Sequence, residues 1–324
     1  MATSTNGQST RRSLRRAAAN LLGRNTAFQI DYRLGREWGR LTWRWREVRR
    51  PVFLWGAGRT GSYLLYDILS LHPEFVCARN PRRLSKGLYG THHHGGGDYD
   101  HLFANPFPPV EGFKRHFLNR YPEIRENLEV TSTQQPAVLR SFRQLVGSTW
   151  RPRRLLDKAP QYTFLLDLLE NLFPTAQHIH CLRHPEAVAA SYVRRMREPN
   201  SQDRVGIWGW RPPGWESIVD WNVESRAVWL AVQTIRAANE NHRRLGQRCI
   251  DVRYETLVAD PHPEVQRVYE FLAVAPQPEV DNLLPERFPD FSKPLTEADR
   301  GQLRSDVRED LERLVAEFDY PPLG

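Results

Sequence analysis

The sequence has 324 residues, 40% of them hydrophobic, which is enough to bury a substantial core in one large domain or two small ones. Its net charge of +8 belongs to residues 1–50, where twelve arginines outnumber three acidic residues and leave the rest of the chain at about −1. The positive net charge therefore does not mark the whole chain as a nucleic-acid-binding protein. The lack of an eighteen-residue apolar run excludes an ordinary membrane-spanning helix.

The N-terminal arm, residues 1–50, is rich in arginine and includes the stretch TRRSLRRAAANLLGR. Three interpretations stay open: an amphipathic helix on a membrane surface, an organelle transit peptide, and a solvated or loosely docked arm. No apolar segment with a small-residue cleavage site follows the first residues, and three widely separated cysteines predict reduced thiols. We therefore expect a cytoplasmic protein without a nucleic-acid partner, and peripheral membrane contact through the arm stays an open alternative.

The first regular elements follow the arm. Val52–Trp55 is a short apolar run that predicts a strand, and residues 62–71 have leucine and isoleucine at helical spacing. Residues 79–122 have no steady period and are rich in proline, glycine, histidine and aromatic residues. A long irregular insert of this kind in an α/β domain predicts a binding loop or a lid.

Strands then alternate with helices. RRLLDKAPQ predicts a strand and a turn, YTFLLDLLENLF a helix, and AQHIHCLRHPEAVAASYVRRM a strand, a sharp turn and a helix. A second irregular insert, 199–215, is rich in tryptophan and proline, and a helix is predicted after it from about 216 to 244. RCIDVRYETLVADP predicts a strand and a loop, and PEVQRVYEFLAV another helix. The alternation predicts one α/β domain over 51–324, with a mostly parallel central sheet flanked by helices.

The turn after the first strand, GAGRTGSY, has the features of an anion-binding loop. Where a glycine-rich turn opens a helix, free backbone N–H groups and the helix dipole favour an anion, most often phosphate. The glycines that would let the backbone close around it are Gly56, Gly58 and Gly61. Arg59 would add a fixed positive charge, and the hydroxyl groups of Thr60 and Ser62 could donate hydrogen bonds to the anion. The nucleotide P-loop has lysine where this chain has Ser62, and the dinucleotide fingerprint fits only formally, so a plain strand-to-helix turn stays open.

Two later stretches place cationic side chains at the ends of strands. In LRHPEAVAASYVRR, Arg183 ends a strand and Ser191 follows two helical turns later, which suits a second phosphate at the same sheet edge. In LLDKAP, Lys158 ends another strand, from which its ammonium group could reach the first loop. A solvated surface lysine is the alternative for that residue.

Together these stretches resemble the sulfotransferases that use 3′-phosphoadenosine 5′-phosphosulfate (PAPS). PVFLWGAGRTGSYLL is similar to that family's 5′-phosphosulfate loop, and LRHPEAVAASYVRR to its 3′-phosphate motif. LLDKAPQY is similar to its E-K-[TD]-P element, and DVRYETLVADP to its R-Y-E-D-L-x-x-D-P stretch. The four motifs stand in the family's order. The resemblance implies a P-loop NTPase-like sulfotransferase fold and PAPS as the donor, without a metal.

The resemblance also implies roles for individual residues. Lys158 and Arg59 would be the catalytic cations, with Lys158 near the bridging oxygen during an in-line displacement that depends on positioning. Arg183 and Ser191 would bind the 3′-phosphate, and Tyr254 would lie near the adenosine. The residues expected to hold the 5′-phosphosulfate are Gly58, Arg59, Thr60, Gly61, Ser62 and Tyr63.

The motifs do not fix the base that activates the acceptor. Some relatives place a histidine where this chain has Pro160, and others a glutamate near Arg79, where this chain offers no carboxylate. The loop also has Tyr63 where threonine or serine is usual. We expect the base in the insert 79–122, where a histidine would serve near neutral pH. The candidates are His92, His93, His94, Asp98 and Glu111. An exposed polar loop is the alternative, and adjacent histidines are poorly placed to share one metal ion.

The sequence thus predicts transfer of a sulfonyl group from PAPS to a hydroxyl or amine of a carbohydrate, lipid or small molecule. The inserts 79–122 and 199–215 would form the acceptor pocket. Three alternatives stay open. The first is a kinase of similar architecture, which would need a lysine in the loop and an acidic residue for magnesium. The second is a protein of the same fold that has no base, and therefore binds PAPS without catalysing transfer. A nucleic-acid binder would rest on the arm alone.

Overall fold

The computed structural model describes residues 37–77, 130–148, 153–198 and 206–321, together with Leu34 and Leu323. Its centre is a sheet of five parallel strands in the order β2-β3-β1-β4-β5. The strands are β1 (Val52–Trp55), β2 (Phe75–Cys77), β3 (Arg154–Lys158), β4 (Gln177–Leu182) and β5 (Cys249–Arg253). The predicted parallel sheet is confirmed, and β1, buried along its length, lies in the middle.

From β1 onward, the described part of the chain has ten α-helices. They are α1 (Ser62–Leu69), α2 (Gln135–Gly147), α3 (Leu166–Leu172), α4 (Pro185–Arg197), α5 (Val223–Leu245), α6 (Tyr254–Ala259), α7 (Pro261–Leu272), α8 (Pro278–Asp281), α9 (Glu297–Gln302) and α10 (Ser305–Glu317). A shorter helical segment over residues 37–42 precedes the sheet.

Three segments differ from what the pattern predicts. Pro160–Phe164 is a 3-10 helix, so α3 begins later than the leucine-rich stretch indicates. Helix α5 begins after Asn222, whose side chain accepts the N–H of Ser225, and a separate 3-10 turn precedes it. The stretch after β5, for which the pattern predicts a loop, is the helix α6, which buries Tyr254 and Leu257.

The side chains of β1 alternate between two hydrophobic cores. Val52 and Leu54 pack in the core that includes residues of α1, α6 and α7. Phe53 and Trp55 pack in the core that includes residues of α2, α3 and α5. A third cluster joins α4, α5 and α10. Because both faces of the sheet are covered, β1 and β2 are apolar along their whole length, as strands of parallel sheets usually are.

The described part of the arm lies near the amino ends of the strands. Gly39 packs so closely on the end of α2 that a Cβ there would lie 2.3 Å from the backbone oxygen of Gln144. Arg50 donates to the side chain of Gln177, the first residue of β4, at 3.4 Å. The carboxyl ends of the strands lie on the opposite side of the domain, and folds of this type bind ligands at those ends.

In the described ranges, no helix combines the length and hydrophobicity needed to cross a membrane. The insert predicted at 79–122 lies outside the described residues, and the insert predicted at 199–215 is described from residue 206. The boundary between arm and domain at residue 50 stays a prediction.

Candidate active site

The carboxyl ends of β1 and β4 lie at the point where the strand order reverses. The chain runs from β1 to β2 at one edge of the sheet and from β4 to β5 at the other. Open α/β sheets bind ligands in the crevice at such a point. Residues 56–61 leave β1 there, and Arg183 directly follows β4, so both predicted anion-binding segments meet at one crevice.

The loop over residues 56–61 has a conformation that depends on glycine. Gly56 has a φ of 141°, and a Cβ there would lie 2.4 Å from the backbone oxygen of Cys181. Gly61, with a φ of 74°, caps α1 before the buried Ser62. Arg59 also has a φ of 74°, which costs a residue with a Cβ about 1–3 kcal/mol. Strain of this kind in an anion-binding loop points to a use for the Arg59 side chain.

Hydrogen bonds join Arg59, Ser191 and Arg183. Arg59 Nε donates to Ser191 Oγ at 2.9 Å, and Arg183 Nη1 donates to the backbone oxygen of Arg59 at 3.0 Å. Burial lowers the pKa of Arg183, although a guanidinium stays charged at neutral pH. The Arg59 side chain thus contacts the Ser191 hydroxyl group while the Arg183 side chain contacts the Arg59 backbone, so two cationic residues and a hydroxyl group lie at one crevice.

The aromatic ring of Tyr254 lies against the guanidinium of Arg183. Arg183 Cζ is 4.2 Å from the ring centroid, and the Tyr254 hydroxyl accepts the N–H of Phe291 at 3.1 Å. Arg183 also donates from Nε and Nη2 to Ser292 Oγ at 3.3 and 3.2 Å. Burial raises the pKa of Tyr254, so the phenol is neutral at ordinary pH. These contacts fix the plane of the guanidinium against the ring.

Lys158 is the last residue of β3 and lies beside β1. Its backbone is in register with Leu54, and its ammonium nitrogen is 3.1 Å from the ring centroid of Tyr63. Tyr63 is the second residue of α1 and is 50% exposed. The contact places the Lys158 ammonium at the first turn of the helix that the loop opens.

Other contacts brace the loop from within. The hydroxyl group of Thr60 donates to the backbone oxygen of Ala57 at 2.9 Å, whereas the sequence predicts that it faces an anion. The backbone N–H of Gly58 donates to the Tyr192 hydroxyl at 3.2 Å. Trp208 packs edge-to-face on Tyr192, with ring centroids 5.0 Å apart. Through Trp208, the second insert therefore contacts Tyr192, the residue that braces the backbone of the loop.

A separate titratable group comprises His180 on β4, Asp251 on β5 and His242 on α5. Asp251 Oδ1 lies 2.9 Å from Nδ1 of each histidine, and burial lowers the pKa of His180. Ligand atoms of the three lie within 4.8 Å of one another, a spacing that a metal ion could use. Because the carboxylate contacts both imidazoles directly, we interpret the group as a polar bridge between the two strands and α5.

Residues 51–278 match the sequence profile of the sulfotransferase family. The chain belongs to that family. The prediction from the four ordered motifs is thereby confirmed.

Curated relatives of this chain include the nodulation protein NoeE of Sinorhizobium fredii, which is 30% identical over 233 residues, 69% of this chain and 50% of NoeE. The omega-hydroxy-beta-dihydromenaquinone-9 sulfotransferase Stf3 of Mycobacterium tuberculosis is 23% identical over 256 residues, 69% of this chain and 63% of Stf3. The chain thus spans between half and two thirds of the length of these relatives.

Solved structures of two mycobacterial sulfotransferases are also similar. STF9 from Mycobacterium avium has a TM-score of 0.56 and 16% identity, covering 87% of this chain and 80% of STF9. STF1 from Mycobacterium tuberculosis has a TM-score of 0.55 and 18% identity, covering 86% of this chain and 81% of STF1. At such identities the likeness shows the fold, which is the P-loop-like sulfotransferase fold that the sequence predicts.

The structure gathers the predicted donor-site residues around one crevice. They are Gly58, Arg59, Thr60, Gly61, Ser62, Tyr63, Lys158, Arg183, Ser191 and Tyr254. The predicted base candidates, His92, His93, His94, Asp98 and Glu111, lie outside the described residues. The roles assigned to both groups stay predictions.

Sequence reasoning missed two residues that hold the site together. Tyr192 directly follows Ser191 in the 3′-phosphate motif, so its position beside the loop had a signal in the sequence. Ser292 lies 109 residues from Arg183 along the chain, in a segment that matches no motif. Only the tertiary contact identifies Ser292.

Proposed function

We propose that this protein transfers the sulfonyl group of PAPS to an acceptor hydroxyl or amine. The observation that carries the proposal is the hydrogen-bonded set of Arg59, Ser191 and Arg183 beside the glycine-rich loop. A nucleotide with phosphates at both its 3′ and 5′ positions needs two neighbouring anion sites. The loop at the start of α1 suits the 5′-phosphosulfate, and Arg183 with Ser191 suits the 3′-phosphate.

In the proposed reaction the acceptor atom forms a bond to sulfur while the bond between sulfur and the bridging oxygen breaks. The electron pair of the broken bond stays on the leaving 3′-phosphoadenosine 5′-phosphate, and the acceptor gives its proton to a base. Lys158 and Arg59 stabilise the charge that develops on the transferred group and the bridging oxygen. We propose that the insert 79–122 supplies the base. Our candidates remain His92, His93, His94, Asp98 and Glu111.

Three cationic side chains supply the positive charge in this proposal. Arg59, Lys158 and Arg183 would take the part that magnesium takes in kinases, so we propose a donor site without a metal. The loop has Ser62 where a nucleotide P-loop has lysine. A kinase using ATP and magnesium is therefore an outcome of the test below, as is a protein that binds PAPS without using it.

For the acceptor, we propose a hydroxyl or amine of a small molecule, lipid or glycan, bound between the two inserts. Support comes from Trp208, which packs on Tyr192 beside the donor loop and brings the second insert to the crevice. Relatives named for an omega-hydroxy-menaquinone and for protein tyrosine also point to hydroxyl acceptors.

Ligand-dependent thermal stabilisation tests donor binding. The bisphosphate 3′-phosphoadenosine 5′-phosphate at a hundred times its dissociation constant should stabilise the wild type by about 2.7 kcal/mol. Arg183→Ala should weaken binding by one to two orders of magnitude, because each charge-assisted hydrogen bond is worth about 1.5–3 kcal/mol. Arg253→Ala is the matched control, since Arg253 stacks on Tyr320 at 4.7 Å without belonging to the site. Stabilisation by ATP with magnesium but not by the bisphosphate would overturn the proposal.

Transfer of a radiolabelled sulfonyl group from PAPS to a panel of hydroxyl and amine acceptors tests catalysis. Lys158→Ala should reduce kcat far more than it weakens bisphosphate binding. Binding without any transfer by the wild type would favour a binding module. Equal loss of binding and turnover in Lys158→Ala would contradict the role of this lysine.

We also propose that the arm contacts an anionic membrane surface and that the protein acts in the cytoplasm. Leu34, Leu41 and Trp45 are exposed, Trp45 at 80%. Leu41 lies in the helical segment and Trp45 at the end of the 3-10 turn that follows it. Arg44 and Arg46 lie beside them in the sequence, and this combination of apolar and basic side chains is typical of interfacial segments. The three described cysteines are free, as expected in a reducing compartment.

Co-sedimentation of the full chain with vesicles tests the membrane contact. The wild type should bind to vesicles rich in phosphatidylglycerol, and the double variant Leu41→Ser, Trp45→Ser should not. Neither protein should bind to vesicles of pure phosphatidylcholine. Phe291→Ser removes a 59% exposed aromatic side chain at the crevice and serves as the control. Equal binding of wild type and double variant would exclude this surface.

A further inference from the structure

Tyr63 and Lys158 form a contact that the motifs of the family do not require. The Lys158 ammonium lies 3.1 Å from the centroid of the Tyr63 ring. Both backbones are fixed: Lys158 pairs in register with Leu54, and Tyr63 stands in α1 two residues after the cap Gly61. The contact therefore joins the end of β3 to the first turn of α1, directly beside the anion-binding loop.

A lysine that stabilises a leaving oxygen acts best when its ammonium group is held in a defined position. Its ammonium group sits on four flexible carbons, and its three donors rotate, so the side chain alone does not define where the charge lies. The face of an aromatic ring attracts a cation, and the effect grows where water is partly excluded. Tyr63 is half-exposed, so its contact with Lys158 lies at the protein surface.

We propose that Tyr63 is a positioning residue whose ring holds the Lys158 ammonium at the phosphosulfate loop. The inference rests on the proposed sulfonyl transfer. Tyr63 itself forms and breaks no bond in the reaction. Its ring keeps Lys158 directed at the place where the bridging oxygen gains charge, and its hydroxyl group is not needed for that purpose.

The contact can be measured without turnover. The sequence has only four lysines, Lys86, Lys114, Lys158 and Lys293, so reductive methylation with ¹³C gives a simple NMR spectrum. Lys158→Arg assigns the Lys158 signal. The ring current should shift that signal upfield in the wild type and in Tyr63→Phe, and Tyr63→Leu should remove the shift. The Lys293 signal should stay unchanged in all of them.

Kinetics then test the role. Tyr63→Leu should lower kcat by about 2- to 30-fold, the range expected from a cation–π contact, with the KM for PAPS changed much less. Tyr63→Phe should restore kcat. In a Lys158→Ala background, Tyr63→Leu should have no further effect on kcat, because the group it positions is gone. A merely structural role would lower stability in both backgrounds alike.

The outcomes separate this inference from the function on which it rests. A wild type that shows the shifted Lys158 signal but transfers no sulfonyl group would overturn the proposed function. A wild type that transfers the group while its Lys158 signal matches that of Tyr63→Leu would overturn the role of Tyr63 alone. A higher kcat in Tyr63→Leu would also overturn it, since the ring would then restrain Lys158 instead of positioning it.

Discussion

Replacing Gly61 with alanine should disturb both the loop and the ring on which Arg183 rests. Gly61 has a φ of 74°, and the left-handed conformation costs a residue with a Cβ about 1–2 kcal/mol. The new Cβ would also lie 2.3 Å from Cδ2 of Tyr254. That ring is buried, and its hydroxyl group accepts the N–H of Phe291, so it cannot move aside freely. Overpacking of this kind costs about 1–3 kcal/mol more.

Gly209→Ala is the matched control for the backbone part of this cost. Gly209 has a φ of 94°, and a Cβ there would meet nothing within 4 Å. Both substitutions also restrict the unfolded chain in the same way. We therefore expect urea unfolding to show a loss of about 1–2 kcal/mol for Gly209→Ala and about 2–5 kcal/mol for Gly61→Ala. The difference between the two variants reports the contact with Tyr254.

Binding of 3′-phosphoadenosine 5′-phosphate, measured by calorimetry, completes the comparison. Gly61→Ala should weaken binding at least tenfold, because displacement of Tyr254 moves the guanidinium of Arg183, which lies 4.2 Å from the ring. Gly209→Ala should leave binding nearly unchanged. The reasoning would be refuted if the two variants lost equal stability, or if Gly61→Ala bound the bisphosphate as the wild type does.

Acid should destabilise the fold, because burial holds the pKa values of His72, His178 and His180 below the usual 6.5. The unfolded chain takes up these protons first, so the stabilisation is complete above about pH 6.5 and falls as pH decreases, by up to about 1.4 kcal/mol per histidine and pH unit. Urea unfolding at pH 7.5, 6.5 and 5.5 measures how the free energy of unfolding depends on pH, and His180→Asn should reduce that dependence. A free energy of unfolding that does not change with pH would contradict this prediction. The three free cysteines are buried, and burial raises the pKa of Cys181 to about 12, so a disulfide reagent at pH 8 should label the chain only after urea unfolds it. Rapid labelling of the native protein would show that these thiols are accessible.

The strands that form the centre of the sheet could be predicted because each is an apolar run followed by a turn signal. Val52–Trp55 lies between two strands, so both faces are buried and the whole run is apolar. The strand Phe75–Cys77 has only three residues, too few to show a period, and its existence depends on pairing with β3. Helix α6 is also short, and burial of Tyr254 and Leu257 stabilises it more than its intrinsic propensity does.

The site could be predicted as far as local sequence positions its residues. Arg183 and Ser191 belong to one strand–turn–helix unit, so their spacing alone places both at the edge where the loop leaves β1. Ser292 reaches Arg183 from a segment whose path depends on distant contacts, such as the hydrogen bond from the Phe288 N–H to the backbone oxygen of Val258 at 2.8 Å. Such a path has no periodic signal in the sequence, and the contact between Lys158 and Tyr63 likewise needs the register of β3 and β1.

Arg183 combines two effects that the sequence presents separately. Its Nη1 group donates to the backbone oxygen of Arg59, the residue with the left-handed φ of 74°. A hydrogen bond from a charged donor, worth about 1.5–3 kcal/mol, is of the same size as the cost of that conformation. The strained turn that directs Arg59 towards Ser191 is therefore stabilised by the residue proposed to bind the 3′-phosphate. Because the Arg183 side chain holds the Arg59 backbone, we expect the loop and the proposed 3′-phosphate site to act as one preorganised unit that rearranges little when a bisphosphorylated nucleotide binds.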